Sequence, residues 1–468
     1  MLEGLDLVPW QNLNCVGGTP TAYDPVEKIP VFLRQLLSSD AETRAYALGR
    51  LYENLLHQGT PFEATPYVIP FIIELCGEPL TPNRASLLCF WSSAITSYLS
   101  IQERPSWWGD GEKIYIDGKV DEWMTESGYY EYIHQTYRES LKGEELLGQL
   151  LNADEPKIRG GTVRVLACMP TIAESSVPKL IARFDREEVS WIRGAIAFAL
   201  GELGASTTLQ NILTKDKDPA TRCIAACQLA RIAPQDNLIE PLLEFASEPI
   251  EDYQYIPGTG GISTDDAVFA ISYLPRQLQQ QAIPAICQRL KQARGFKTVP
   301  LVRTLLSAAF ERRKTLLTEL TDIQKLVLSQ MVMTDELWSI GNLIGVFSTY
   351  GLPDGLPDKR EKCAKLLGIK LTPDNALTEL RSGLMFAKMN FLPQARASIF
   401  KAIEIDSKVF VRSPTPEVAW LLCAKAFAEI DPKRALTAYR NAYLINPAIA
   451  SKIKSNWYLA NLLEQHDF

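Results

Sequence analysis

The chain has 468 residues, of which 46% are hydrophobic and 22% charged, and these fractions are ordinary for a globular protein. Its 55 acidic and 48 basic side chains give a net charge of −7, which argues against general nucleic-acid binding because that function needs a basic surface. We find no apolar run of the ~18 residues that a membrane span needs, and no signal-peptide core at the N-terminus. Nine cysteines without a regular spacing predict a reducing, cytoplasmic location.

The first predicted elements are two helices joined by a glycine-containing turn. The acidic residue Asp40, followed by Arg44 and spaced apolar residues, predicts a helix over 40–56. Gly59 is expected to take the left-handed conformation that ends this helix, and Thr65-Pro66 to start the next.

An aromatic segment from about Gln102 to Glu139 then interrupts the helical pattern. Its Asp117-Gly118 step between short alternating segments predicts a small hairpin. Large aromatic residues in a polar segment are typical of interface anchors, although they could instead fold back as a lid over the first helices. The candidate partner-binding residues here are Trp107, Trp108, Trp123, Tyr129 and Tyr130.

The middle of the chain repeats at helix-pair intervals. An Arg opens an Ala-rich amphipathic helix at Arg159, Arg193 and Arg222, with steps of 34 and 29 residues. A hydrophobic-Pro step follows 19 residues after the first and third of these, at Pro178 and Pro241, and is expected to open the second helix of the pair. Such recurrence is typical of a stacked solenoid, in which Ala and Gly let neighbouring helices approach closely.

The pattern weakens downstream. A second interruption, over 248–264, holds the further candidate binding residues Tyr253 and Tyr255, and Asp266 then stands where the repeat Arg is expected. Helices are predicted to open at Ile283-Pro284 and at Val299-Pro300.

The last hundred residues fit the spacing of tetratricopeptide (TPR) motifs. The first copy is Gly383, Phe386, Ala395, Ile399 and Ala402, and the second is Ala435, Tyr439, Ala442 and Pro447. The predicted fold is therefore an all-α, right-handed α-solenoid of helix pairs that ends in TPR-like hairpins. Its parts are a repeat domain over 1–315, a helical connector over 316–371 and a TPR-like segment over 372–468.

Roughly residues 1 to 360 resemble a bacterial family of proteins with HEAT-like repeats of the phycobilisome-lyase type. The resemblance is carried by Trp10, by the turn at 58–65 (Gln-Gly-Thr-Pro-Phe-Glu-Ala-Thr), by Trp338 with Asn342, and by the Gly-Leu-Pro at 351–353. It implies a non-catalytic binding protein, and for some members an immunity protein that neutralises a secreted toxin.

Catalytic signals are weak. The three histidines His57, His134 and His466 are far apart in sequence, and His57 is interpreted as a helix-end residue. Cys223 and Cys227 have the spacing of metal ligands, but no second ligand pair is near them in sequence, which favours packing.

Two acidic residues in the third repeat have a local explanation. Asp216 and Asp218 precede the helix of Arg222 and are interpreted as its N-caps. Neither a metal nor a cofactor is predicted.

The leading hypothesis is a non-catalytic scaffold of the bacterial cytoplasm that binds another protein, without a membrane and without nucleic acid. The alternatives are an immunity protein, a phycobilin lyase-like chromophore transferase and a HEAT-like DNA glycosylase. Basic residues cluster at Arg289–Lys297 and at 312–314. We interpret each cluster as the solvated face of a helix and not as a nucleic-acid site.

Overall fold

The protein is all-α. The computed structural model describes residues 1–15, 24–57, 60–100, 115–116, 119–120, 129–247, 264–311, 320–334, 337–338, 340, 343, 346–347, 350, 352, 356–369, 379–380, 383–384, 386–387, 392–411, 413 and 416–447. Within these residues the strands form two short two-stranded hairpins, and helices make up nearly all the rest of the regular structure. The chain divides into two compact units, Met1–Leu352 and Pro353–Phe468.

The first unit begins with four helices: α1 (Ile29–Gln35), α2 (Ala41–Leu55), α3 (Thr65–Gly77) and α4 (Arg84–Ser100). The helix predicted over 40–56 is confirmed as α2. Asp40 caps it by accepting a hydrogen bond from the Thr43 N–H at 2.8 Å. Strands β1 (Leu56–His57) and β2 (Thr60–Pro61) pair between α2 and α3, and α3 begins at Thr65 as predicted. The predicted left-handed Gly59 lies outside the described residues.

The aromatic segment contains strands β3 (Tyr115–Ile116) and β4 (Lys119–Val120), which pair antiparallel with Tyr115 opposite Val120. This register confirms the hairpin predicted around Asp117-Gly118. The predicted interruption reached residue 139, but helix α5 (Tyr129–Leu141) already begins at Tyr129.

The helix pairs then follow in order. They are α6 (Glu144–Leu150), α7 (Pro156–Ala167), α8 (Ala173–Phe184), α9 (Ser190–Glu202), α10 (Ser206–Lys215), α11 (Pro219–Ile232), α12 (Ile239–Ser247), α13 (Thr264–Ile271), α14 (Arg276–Gln292), α15 (Thr298–Ala309) and α16 (Asp322–Val332). Two of these helices open one to two turns before the proline that was expected to start them, since Pro178 and Pro284 lie inside α8 and α14. Each of these prolines forgoes a helix hydrogen bond instead of starting the helix.

Six helices form a set we call the central row: α4, then α7 and every second helix after it, α9, α11, α13 and α15. Each member packs on the next member along the chain, and α8, α10, α12 and α14 pack beside them. Close approach depends on small residues, as predicted. A Cβ added to Gly161 of α7 would stand 2.9 Å from the Leu88 Cβ of α4, and one on Gly201 of α9 would meet Gln228 of α11.

The central row is interior to the fold. All residues from Gly194 to Glu202 in α9 are buried, and so are all residues from Cys223 to Arg231 in α11. Helices that are apolar almost all round have no solvent face to offer. The middle of the central row is therefore core and not an open binding surface.

The second unit contains α17 (Leu356–Leu366), α18 (Leu392–Ile405), α19 (Pro416–Phe427) and α20 (Pro432–Ile445). The TPR-like small residues Ala395, Ala402, Ala435 and Ala442 are all fully buried in one core cluster. A Cβ on Gly383 would stand 3.0 Å from the Ala395 carbonyl oxygen, so the helices cross closely here.

Within the described parts of the chain, no single helix is long and apolar enough to cross a membrane, although α7 and the segment Pro170–Phe184, bent by 95°, pass that test as a pair on length and composition alone.

Candidate functional site at the aromatic insertion

The aromatic insertion, residues 101–128, leaves the end of α4 and returns to the chain at α5, and these two helices pack on each other. The contact includes a stack of two tyrosine rings, Tyr98 and Tyr137, whose centroids are 3.6 Å apart at an interplanar angle of 8°. The two rings lie nearly face to face, so each covers one face of the other and removes it from water. The two ends of the insertion are thus held together by helix packing.

His134 and Tyr130 extend the stack along α5. The His134 ring meets Tyr98 edge-on at 5.5 Å and lies 4.5 Å from the Tyr130 ring. Tyr130, His134 and Tyr137 have the i, i+4, i+7 spacing of one helix face. We call Tyr98, Tyr130, His134 and Tyr137 the aromatic brace.

The polar atoms of the aromatic brace are mostly occupied or shielded. The Tyr137 hydroxyl lies 2.7 Å from the Thr171 Oγ1, and burial raises the pKa of Tyr137 despite this hydrogen bond. Burial also lowers the pKa of His134, against the opposing charge of Glu131. The lowered pKa favours the neutral imidazole, which lies among aromatic rings without the cost of burying a charge.

The predicted partner-binding residues divide into two groups. Tyr130 is half-buried against His134, so it supports the base of the insertion. Tyr129 is the first residue of α5. The positions of Trp107, Trp108, Trp123, Tyr253 and Tyr255, and the side chain of Tyr129, lie outside the described residues. Tyr98 and Tyr137 were not predicted as site residues. The helical spacing from Tyr130 to Tyr137 could have indicated Tyr137.

The repeat arginines join helices α2, α7, α9 and α11 to the turns before them. Arg44, Arg159 and Arg222 each donate from Nη1 to the two backbone carbonyls six and five residues upstream. Arg193 donates in the same way to the carbonyl of Glu187 at 3.0 Å and also to that of Phe184 at 2.8 Å. Since the last carbonyls of a helix have no partner within it, these arginines satisfy groups that would otherwise lack one.

Some of these arginines also bind a carboxylate. Glu187 is 3% exposed and accepts from the Nε and Nη2 of Arg159 at 2.8 and 2.9 Å. It also pairs with Arg183 at 2.8 Å. Burial alone would raise the pKa of Glu187, but the hydrogen bonds from Arg159 and the Val189 N–H, with the two positive charges, lower it overall.

Asp216 and Asp218 differ in role, which corrects part of the sequence interpretation. Asp218 caps α11 through the Thr221 N–H at 3.2 Å, as predicted. Asp216 instead pairs with the Nη2 of Arg193 from the preceding repeat and accepts from the Asp218 N–H at 2.9 Å. The charged guanidinium of Arg193 binds the Asp216 carboxylate more strongly than a backbone N–H at the helix end would, so Asp216 does not cap the helix.

A second buried pair lies in the central row. Arg231 of α11 contacts Glu202 of α9 at 2.8 Å, with side-chain exposures of 4% and 2%. The Arg231 Nε also donates to the Gln228 Oε1 at 3.1 Å. Tyr273, after α13, has its pKa raised to about 12, mainly by burial. Glu202 and Arg231 were not predicted to pair. Each is a charged residue in a largely apolar helix, and the sequence does not show which residue of another helix lies beside it.

The remaining candidates for chemistry are metal-binding groups and cysteine thiols. No group of three or more His, Cys, Asp or Glu residues within the described ranges could hold a metal ion. Cys223 and Cys227 are buried in α11, and their mutual hydrogen bond together with burial raises the pKa of Cys227. Burial raises the pKa of Cys76 and Cys423 to about 12. A thiol that stays protonated is neither a good nucleophile nor a metal ligand.

Comparisons with known proteins do not identify a family. No family model matches the chain, and no curated protein matches it. One of the solved structures found is a crystal structure of an engineered protein from a structural genomics consortium. It has 13% sequence identity and a TM-score of 0.28, over 88% of this chain and 99% of that one. A likeness at this level carries no argument about fold or function.

Proposed function

We propose that the protein is a non-catalytic scaffold that binds another protein, with its helix pairs stacked as an α-solenoid of the HEAT-like kind. Support for the stacking comes from the central row, in which α4, α7, α9, α11, α13 and α15 pack successively. Carbonyl-binding arginines at equivalent positions support a repeated unit.

The observation that carries the proposal is the aromatic brace beneath the insertion. Tyr98 near the end of α4 and Tyr130 at the start of α5 both contact the His134 ring. The two helices that flank the segment holding Trp107, Trp108 and Trp123 are thereby joined to each other. Aromatic residues presented from a rigid base are typical of interface hot spots. The interior position of the central row directs binding to such peripheral segments.

Affinity capture from the native cell tests this function. Tagged chain should retain one partner protein through washing, and the double variant Trp107→Ala, Trp108→Ala should bind the purified partner about tenfold or more weakly in a calorimetric titration. The control is Tyr46→Ala with Tyr67→Ala, two exposed tyrosines on α2 and α3. Equal affinity of both double variants would exclude the insertion as the interface, and capture of no partner would contradict the scaffold.

A further inference from the structure

We draw no further inference here: the strongest candidate, the groove between α2 and α4 that Leu36, Leu48 and Leu87 line, is an apolar face of the first unit, and nothing in the structure shows what covers it.

Discussion

Glu187 shows how one side chain fixes several elements at once. It is buried, binds Arg159 of α7 and Arg183 of α8, and accepts from the Val189 N–H at 3.1 Å just before α9. A carboxylate with this many donors has its pKa lowered in the folded state. Removing it would leave two guanidinium groups without their acceptor in a poorly hydrated site.

We predict that Glu187→Gln lowers the free energy of unfolding by about 3 kcal/mol, the scale for breaking a buried pair. Because the folded pKa lies below the ordinary value of 4.5, the stabilisation is complete above that pH and is lost as pH falls through the folded pKa. Denaturant unfolding between about pH 6 and pH 3 measures both effects. The variant should show a weaker pH dependence than the wild type, and the exposed neighbour Glu188→Gln should change neither quantity. A stable variant with an unchanged pH profile would show that the pair contributes nothing.

Arg193 joins three parts of the repeat. It binds the carbonyls of Phe184 and Glu187, pairs with Asp216 and lies over the Phe184 ring at 4.1 Å. We predict that Arg193→Ala lowers the free energy of unfolding by about 2 kcal/mol, since several carbonyl and carboxylate groups lose their donor. Arg186→Ala removes an exposed arginine with one hydrogen bond, to Asn152 at 2.9 Å, and is the matched control. Indistinguishable melting temperatures for the two variants would contradict a linking role for Arg193.

At the scale of elements, the distance between α4 and α7 is set by small residues. A Cβ on Gly161 would stand 2.9 Å from the Leu88 Cβ, an atom that the backbone holds in place, and 3.2 Å from the Leu88 Cδ1. Helix packing is discrete, and a methyl group inserted here must separate the two helices or displace Leu88.

We therefore predict that Gly161→Ala destabilises the protein by about 2 kcal/mol despite the better helix propensity of alanine. Gly49→Ala, inside α2 with open space above it, should stabilise the protein by roughly 0.5–1 kcal/mol through the unfolded chain alone. Thermal unfolding followed by circular dichroism measures both. Stabilisation by both substitutions would mean that α4 and α7 are not in close contact.

At the scale of the whole molecule, the residues that form the core differ from those proposed to bind a partner. The middle of the central row is buried, whereas the insertion connects two helices that already hold each other through the aromatic brace. The described residues of the aromatic brace therefore join α4 to α5 without any residue of 101–128.

It follows that Trp107→Ala with Trp108→Ala should leave the free energy of unfolding within about 1 kcal/mol of the wild type, the scale of ordinary surface changes. Denaturant unfolding of the purified variant measures this independently of any partner. A loss of several kcal/mol would place both tryptophans in a packed lid and remove them as interface anchors.

The sequence by itself determined the helical fold class, the helix that opens at Asp40, the cap at Asp218 and the hairpin around Asp117-Gly118. These features depend on residues a few positions apart, so their signals are local. The repeat spacing also located the arginines that bind the preceding turn.

Only the tertiary structure decided which carboxylate each arginine meets, and that α9 and α11 in the middle of the central row are buried over most of their length. It also decided that Asp216 serves Arg193 and not its own helix, and that Glu202 pairs with Arg231 across 29 residues. The physical reason is that burial and ion pairing arise when helices distant in sequence pack. A periodic pattern shows which face of a helix is apolar, but it does not show what covers that face.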